Sequence, residues 1–243
     1  MPRPPKPPQT AESQDTREKI LDAAARLFSA ADSRGASLRA IAREAEVNPA
    51  LVHYHFGTRE SLLEAVILRA LEPIQRRRRT LIRSLRARAE TLGAHDLARL
   101  FVAPLLADPS APTPEETTDL RLLTRVFAEE RSLAQDLTLK HFGDVMAELD
   151  GLLAAALPRI PEATRRRRIR FCVQSALETL SGHESRSAAV RDRAPEARAA
   201  IVMDLIDFLA GGLAVPAPAP RDATGREPDL SPASSPDPSP DPA

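Results

Sequence analysis

An all-α fold is the expectation for this chain, and three observations lead to it. Leu, Ala and Arg dominate, while aromatics make up only 3% of the 243 residues and Tyr54 is the single tyrosine, a composition suited to helices packed on helices rather than to sheets. Apolar residues recur at helical spacing through nearly the whole stretch between two polar, proline-rich ends. Helix start and stop signals punctuate that stretch often enough to divide it into about nine helices, with no convincing strand.

The first helix is expected to start at Asp15 or Thr16, where Asp15-x-x-Glu18 has capping-box form. Its apolar stripe is Ile20, Leu21, Ala24, Leu27 and Phe28, and Arg34-Gly35 breaks it. The second is short, with Ser37 as N-cap and Leu38, Ile41, Ala42 and Ala45 turned inward. Glu46-Val47 turns the chain, and Asn48-Pro49 restarts it, with Asn as cap and Pro at the first helical position, where its missing N–H costs nothing. Gly57 ends the third helix and Thr58 caps the fourth. Apolar pairs at 62/63, 66/67 and 70/71 mark the fourth, which Pro73 is expected to kink or divide, with a further stretch from Ile74 to Ala89. Ala94–Ala107 comes next. Thr113-Pro114-x-Glu116 then caps a helix running to Glu130, and Ser132-x-x-Gln135 caps another, which runs to Leu157. Pro161–Gly182 and Pro195–Ala210 complete the set, the last closed by Gly211-Gly212.

The expected organisation is a disordered arm over 1–14 carrying Arg3 and Lys6, a helix-turn-helix domain over 15–60, a larger helical domain over 61–213, and a tail over 214–243. The tail is rich in Pro, Ala and Asp, and cannot bury enough apolar area to offset its ordering entropy. Formal net charge is zero, so attraction to nucleic acid has to come from a local patch. Cys172 is the only cysteine, which excludes an internal disulfide; its Phe171-Cys172-Val173 setting reads as a buried apolar position. The N-terminus lacks the apolar segment of a signal peptide, and no apolar run approaches the roughly 20 residues of a spanning helix, so a cytoplasmic location is expected.

Other signals carry less. Arg76–Arg79 and Arg165–Arg168 spread around a helix instead of forming one basic face, and read as solvated residues with buried stems. His95, His141 and His183 are isolated, no phosphate loop or nucleophile elbow appears, and neither metal, cofactor nor enzyme activity is expected.

The informative stretch is Ser37–Leu63, SLRAIAREAEVNPALVHYHFGTRESLL. It holds two short helices with a tight turn between them. Leu38, Ile41, Val47, Val52 and Phe56 are spaced to bury against the first helix. Pro49, Ala50, His53 and Tyr54 fall on another face of the third, small at its start and polar-aromatic one turn on, which suits insertion into a major groove. Leu51 fits either the core or the groove edge.

On Ile41-Ala42, Val47 and the run Leu51-Val52-His53-Tyr54-His55-Phe56-Gly57-Thr58-Arg59-Glu60-Ser61-Leu62, the chain resembles the tetracycline-repressor (TetR) family of one-component bacterial regulators. The resemblance covers roughly 16–63, and the remaining helices match the family's plan in number and length. It implies that Arg39, Pro49, Ala50 and His53 face base edges, an arginine at 39 being suited to guanine. It implies that Tyr54, His55 and Arg59 grip phosphates, while Ser37, Asn48 and Thr58 offer side chains and helix-end N–H groups. His55 is divided between core and phosphate. The chain departs from the family's pattern with Glu46 in place of Gly, His53 in place of Tyr and Arg59 in place of Lys.

The resemblance further implies a homodimer on a pseudo-palindromic operator, with recognition helices about 34–36 Å apart. The dimer would form through stripes on the last two helices: Ile169, Cys172, Val173, Ala176, Leu177 and Leu180 on one, Ile201, Leu205, Ile206 and Leu209 on the other. Those stripes also fit intrachain core. An unidentified small-molecule effector is expected within helices spanning Leu62 to Leu157, where Thr124 and Arg125 are candidate interior polar groups. The alternative is a helical ligand-binding or protein-partner module whose helix-turn-helix docks on protein rather than double-stranded DNA.

Overall fold

Residues 11–30, 36–88, 91–108, 111–182 and 195–216 are described in the computed structural model, and among them the chain forms nine helices and no strand. The arm up to residue 10, Arg34-Gly35, His183 and the tail from 217 onward lie outside the described residues. The first helix, α1 (Ala11–Ser29), begins a turn before the expected Asp15. Asp15 therefore does not cap it; it pairs with Lys19 one turn along at 2.7 Å, an ordinary exposed i,i+4 pair. The residues from Ala11 to Gln14 carry no helix breaker, so the helix extends upstream through them. Its inward stripe is as expected: Ile20, Leu21, Ala24 and Phe28 are buried, and Leu27 packs at the margin.

Two short helices lie across α1. They are α2 (Leu38–Glu44), which buries Ile41 and Ala42, and α3 (Pro49–Phe56), which buries Val52. The three caps read from sequence around these helices all form. Ser37 Oγ accepts from Ala40 N–H, Asn48 Oδ1 from Ala50 N–H and Thr58 Oγ1 from Ser61 N–H, each satisfying a donor the helix start leaves orphaned.

From Thr58 the chain enters α4 (Arg59–Arg86), 28 residues long and so about 42 Å from end to end. The expected division at Pro73 does not occur; the helix runs through it. Leu71 and Ile74, one on either side, are both buried, and α4 packs on α1 and on the later helices along its length. Tertiary packing on both flanks outweighs the backbone hydrogen bond the proline removes.

The body comprises α5 (Ala94–Val102), α6 (Pro114–Glu129), α7 (Arg131–Ala156), α8 (Glu162–Ser181) and α9 (Pro195–Ala214). The capping box at the start of α6 forms reciprocally: Glu116 N–H donates to Thr113 Oγ1 at 3.1 Å, and Thr113 N–H to Glu116 Oε2 at 3.3 Å. The one expected at Ser132 does not, because α7 starts at Arg131 with no side-chain cap and Ser132 is already inside it. α7 breaks at Phe142, where φ is −134° and ψ 23°. Gly182 ends α8 in the left-handed region as expected, whereas α9 continues through Gly211-Gly212 to Ala214.

The arginine runs are only partly solvated. Each residue meets a different surrounding, as four successive positions on a helix must. Arg76, Arg166 and Arg167 are exposed. Arg77 donates to the carbonyls of Pro104 and Leu105, Arg78 is buried, and Arg79 pairs with Asp144 at 2.6 Å. In the second run Arg165 grips Asp150 with both Nε and Nη2, at 2.9 and 3.2 Å, and Arg168 donates to the Leu213 carbonyl.

The ten residues expected at a dimer interface lie mostly inside this chain. Cys172, Ala176, Leu177, Leu205, Ile206 and Leu209 are buried, because α8 packs on α6 and α9 packs on α5 and α8. Ile169, Val173, Leu180 and Ile201 are half-buried. A helical stripe identifies the face that is buried, not the partner that buries it. The outward faces carry other apolar residues: Phe171 on α8 and Met203 and Phe208 on α9, at 65%, 56% and 71% exposure. Burial pushes the Cys172 thiol up to about 12, consistent with a packing role.

Candidate nucleic-acid interface

The turn between α2 and α3 sets the geometry of the site. Glu46 N–H donates to the Arg43 carbonyl and Val47 N–H to the Ala42 carbonyl. This pair is the Schellman arrangement, which requires a left-handed residue between the helix end and Val47. Glu46 occupies that place with φ 55°, the single non-glycine residue at positive φ among the described residues. The departure from glycine noted in the sequence is therefore a strained position that Glu46 fills at a cost of roughly 1–2 kcal/mol.

With that turn closed, α3 buries Val52 and half-buries Phe56, over whose ring the Arg17 guanidinium lies 5.4 Å from the centroid. Pro49, Ala50, His53 and Tyr54 all face solvent, Tyr54 at 58% exposure. Leu51, at 38%, joins this outward face and not the core. Arg39 on α2 is exposed beside it. Sequence reasoning missed Arg43, which is exposed one turn further along α2 and whose side chain makes no hydrogen bond or ion pair among the described residues. The i,i+4 spacing of Arg39 and Arg43 was the signal that could have found it.

His53 is held from below. Its Nδ1 lies 3.0 Å from the Gly57 carbonyl oxygen, which can only accept, so Nδ1 is the donor. The neutral ring then presents Nε2 outward as an acceptor. His55 is half-buried between the rings of Tyr54 and Phe56. Arg59 is less available than the resemblance implies: Nε donates to the Ala36 carbonyl at 3.1 Å, and its guanidinium stacks 5.0 Å from the Phe28 ring centroid. It fastens the start of α4 to the segment leading into α2. Ser37, Asn48 and Thr58 are exposed, with their side chains engaged in the caps described above.

The head is tied to the body at several points. Arg69 of α4 pairs with Asp22 at 2.7 Å and Glu18 at 3.4 Å on α1. Arg125 of α6 donates to the Ala30 carbonyl just past α1 and pairs with Glu129. Asp119 of α6 lies in the same junction. Burial pushes its carboxyl up to about 6, with repulsion from Asp22, Glu115 and Glu116 opposing the pull of Arg69. A cleft of about 530 Å³ opens beside this junction, between α1, α4 and the break in α7, with Leu21, Leu68, Glu72, His141 and Phe142 in its lining.

Two short helices crossing at a tight turn, the second with a bare polar-aromatic face and an arginine beside it, define a helix-turn-helix that binds DNA. Comparison with known proteins gives the family. Residues 20–66 match the profile of bacterial regulatory proteins of the tetR family, and residues 99–212 match that of tetracyclin repressor-like C-terminal domains. The chain belongs to the TetR family of transcriptional regulators, which are not enzymes. The regulator UidR of Escherichia coli K12 is 38% identical over 61 residues, 25% of this chain and 31% of that protein, so the match spans under a third of that relative. The nicotine-responsive repressor HdnoR of Paenarthrobacter nicotinovorans is 29% identical over 150 residues, 60% of this chain and 71% of that one. The crystal structure of Mycobacterium smegmatis AmtR aligns at 24% identity and a TM-score of 0.49, over 86% of this chain and 90% of that one. No helix among the described residues is long and apolar enough to cross a membrane.

Proposed function

We propose that this regulator is a ligand-responsive repressor that binds a pseudo-palindromic operator as a homodimer. The observation that carries the reading is the outward face of α3. Its side chains are exposed at consecutive groove-facing positions, with Arg39 and Arg43 flanking them. Arg39 supplies a fork for guanine O6 and N7. His53, with Nε2 outward, accepts from an exocyclic amino group, cytosine N4 or adenine N6. Ala50 and Leu51 offer apolar contact to a thymine methyl, while Tyr54 and Arg43 reach toward phosphate.

Dimerisation is assigned to the outward faces of α8 and α9. Phe208 of α9 and Val215 just past its end stand a heptad apart with Gly211 and Gly212 between them, positions at which an added Cβ would meet nothing within 4 Å. Two copies of such a face can approach closely, and Phe171 extends it onto α8. The effector site is assigned to the body helices, by analogy with the nicotine-responsive relative in having a small-molecule signal but without its ligand.

The test is selection of bound sequences from a random duplex library by the full chain, followed by a salt titration on the winners. A palindromic motif whose affinity falls steeply with salt is expected. Binding without a motif, or no binding, overturns the operator reading. A monomer by sedimentation at micromolar concentration overturns the dimer.

A further inference from the structure

Among the described residues of α4, Arg78 is the one charged side chain that is buried, at 6% exposure. Its setting differs from that of the other inward arginines. Arg165 has Asp150 in a two-pronged pair, and Arg77 has Glu116 at 3.4 Å. Arg78 has only neutral partners: Nε donates to the Leu100 carbonyl at 3.2 Å and Nη1 to Gln75 Oε1 at 2.7 Å. Leu100 lies in the last turn of α5, whose free carbonyls carry the equivalent of about half a negative charge. Arg77 donates to the Pro104 and Leu105 carbonyls in the turn just past α5. Of the two guanidiniums, only Arg77 also has a carboxylate.

Gln75 sharpens the contrast. It is 3% exposed and sits one turn before Arg78. A guanidinium can only donate, so Gln75 must turn its Oε1 toward Arg78 and its Nε2 away. Neither Gln75 Nε2 nor Arg78 Nη2 donates to any group among the described residues. Two neighbouring side chains thus hold spare donors around a buried positive charge. Burial lowers the Arg78 pKa only to about 10, so the charge persists at neutral pH. A buried cation without a counter-ion is costly, and perturbed groups of this kind concentrate at functional sites.

We propose that Arg78 and Gln75 form the head-group subsite of the effector site, and that the effector is an organic anion whose carboxylate accepts from Arg78 Nη2 and Gln75 Nε2. The proposal rests on the reading of the body as effector-binding. It also places the ligand on the helix whose first turn carries Arg59 and the head, giving binding a direct mechanical link to the DNA-reading elements.

The test uses the full chain and three carboxylates, benzoate, phenylacetate and octanoate, each beside its primary amide and the corresponding amine. Melting temperature is read with the compound in large excess. At least one carboxylate is expected to raise Tm by about 2–4 °C, while its amide leaves Tm unchanged. The shift disappears in the Arg78→Met, Gln75→Leu double variant, whose helical circular dichroism serves as the folding check. Arg78→Lys, which keeps a charge without the fork, retains part of it and covers the case in which the double variant does not fold. Equal shifts from acid and amide, shifts from the amines alone, or an acid shift that survives in the folded double variant overturn the anion assignment and leave the effector-binding body standing. No shift from any compound of any charge counts against both.

Discussion

Replacing Glu46 with glycine should make this protein more stable, by an amount the turn geometry lets one work out. Glu46 holds φ at 55°, a region that costs an L-residue roughly 1–2 kcal/mol. Glycine enters it without that penalty but loses more backbone freedom on folding, roughly 0.5–1 kcal/mol. The difference is a gain of about 0.5–1 kcal/mol, or about 1–4 °C in Tm for a domain of this size. Glu46→Ala is the control: it removes the same exposed carboxylate but keeps a Cβ, and with it the strain. Thermal unfolding of wild type, Glu46→Ala and Glu46→Gly at one pH and salt concentration isolates the backbone contribution as the difference between the two variants. The Schellman bonds of Glu46 and Val47 are main-chain and persist in both. If Glu46→Gly melts no higher than Glu46→Ala, the residue is not strained, and the account of how α2 hands over to α3 is wrong.

Four further outcomes follow from the same geometry. Arg43→Ala is expected to weaken binding to all duplexes and reduce the salt slope by about 1, whereas Arg39→Ala and His53→Ala alter the selected motif. Arg59→Ala, by contrast, should lower Tm through loss of its Ala36 and Phe28 contacts, and an unchanged Tm would return it to a phosphate role. Asp119 binds its proton more tightly folded than unfolded, so its contribution to stability falls as pH rises from about 4 through about 6; allowing for partial solvent access, Asp119→Asn gains about 1–2 kcal/mol over wild type at pH 7.5. That advantage should vanish near pH 4, and a pH-independent difference in Tm would contradict it. Thr113→Ala should cost about 1 kcal/mol in thermal unfolding through loss of the α6 cap.

Most of what could be read from the sequence depends on near neighbours, although the local capping patterns at Asp15 and Ser132 did not form because their helices start further upstream. Ser37, Asn48, Thr58 and the Thr113–Glu116 pair cap helices through contacts two or three residues away, and each formed as expected. The groove-facing positions of α3 follow from 3.6 residues per turn and are exposed. Glu46 was visible as a departure, and the structure gives it a φ angle. What escaped depends on distant partners. Cys172, Leu177 and Leu205 belonged to correct apolar stripes, but nothing local says whether α6, α5 or a second chain covers them. Pro73 breaks an isolated helix, yet here it is outweighed by neighbours far along the chain. Arg78 looked like the other three arginines of its run because its partner Leu100 lies 22 residues away.

The ties between α1 and the body also constrain anyone who would recombine regulators. Gly57-Thr58 looks like a natural seam at which to graft this head onto a foreign sensor. The contacts argue otherwise. α1 is braced from the side by Arg69 and closed at its end by Arg125, and both come from beyond the seam. A hybrid that keeps only residues 11–60 would leave Asp22 and the Ala30 carbonyl without these partners and uncover the face of α1 that packs on α6. The portable unit is larger than the DNA-reading element: it includes the first part of α4 and the matching surface of α6, so a working chimera must transplant that surface or rebuild it on the recipient.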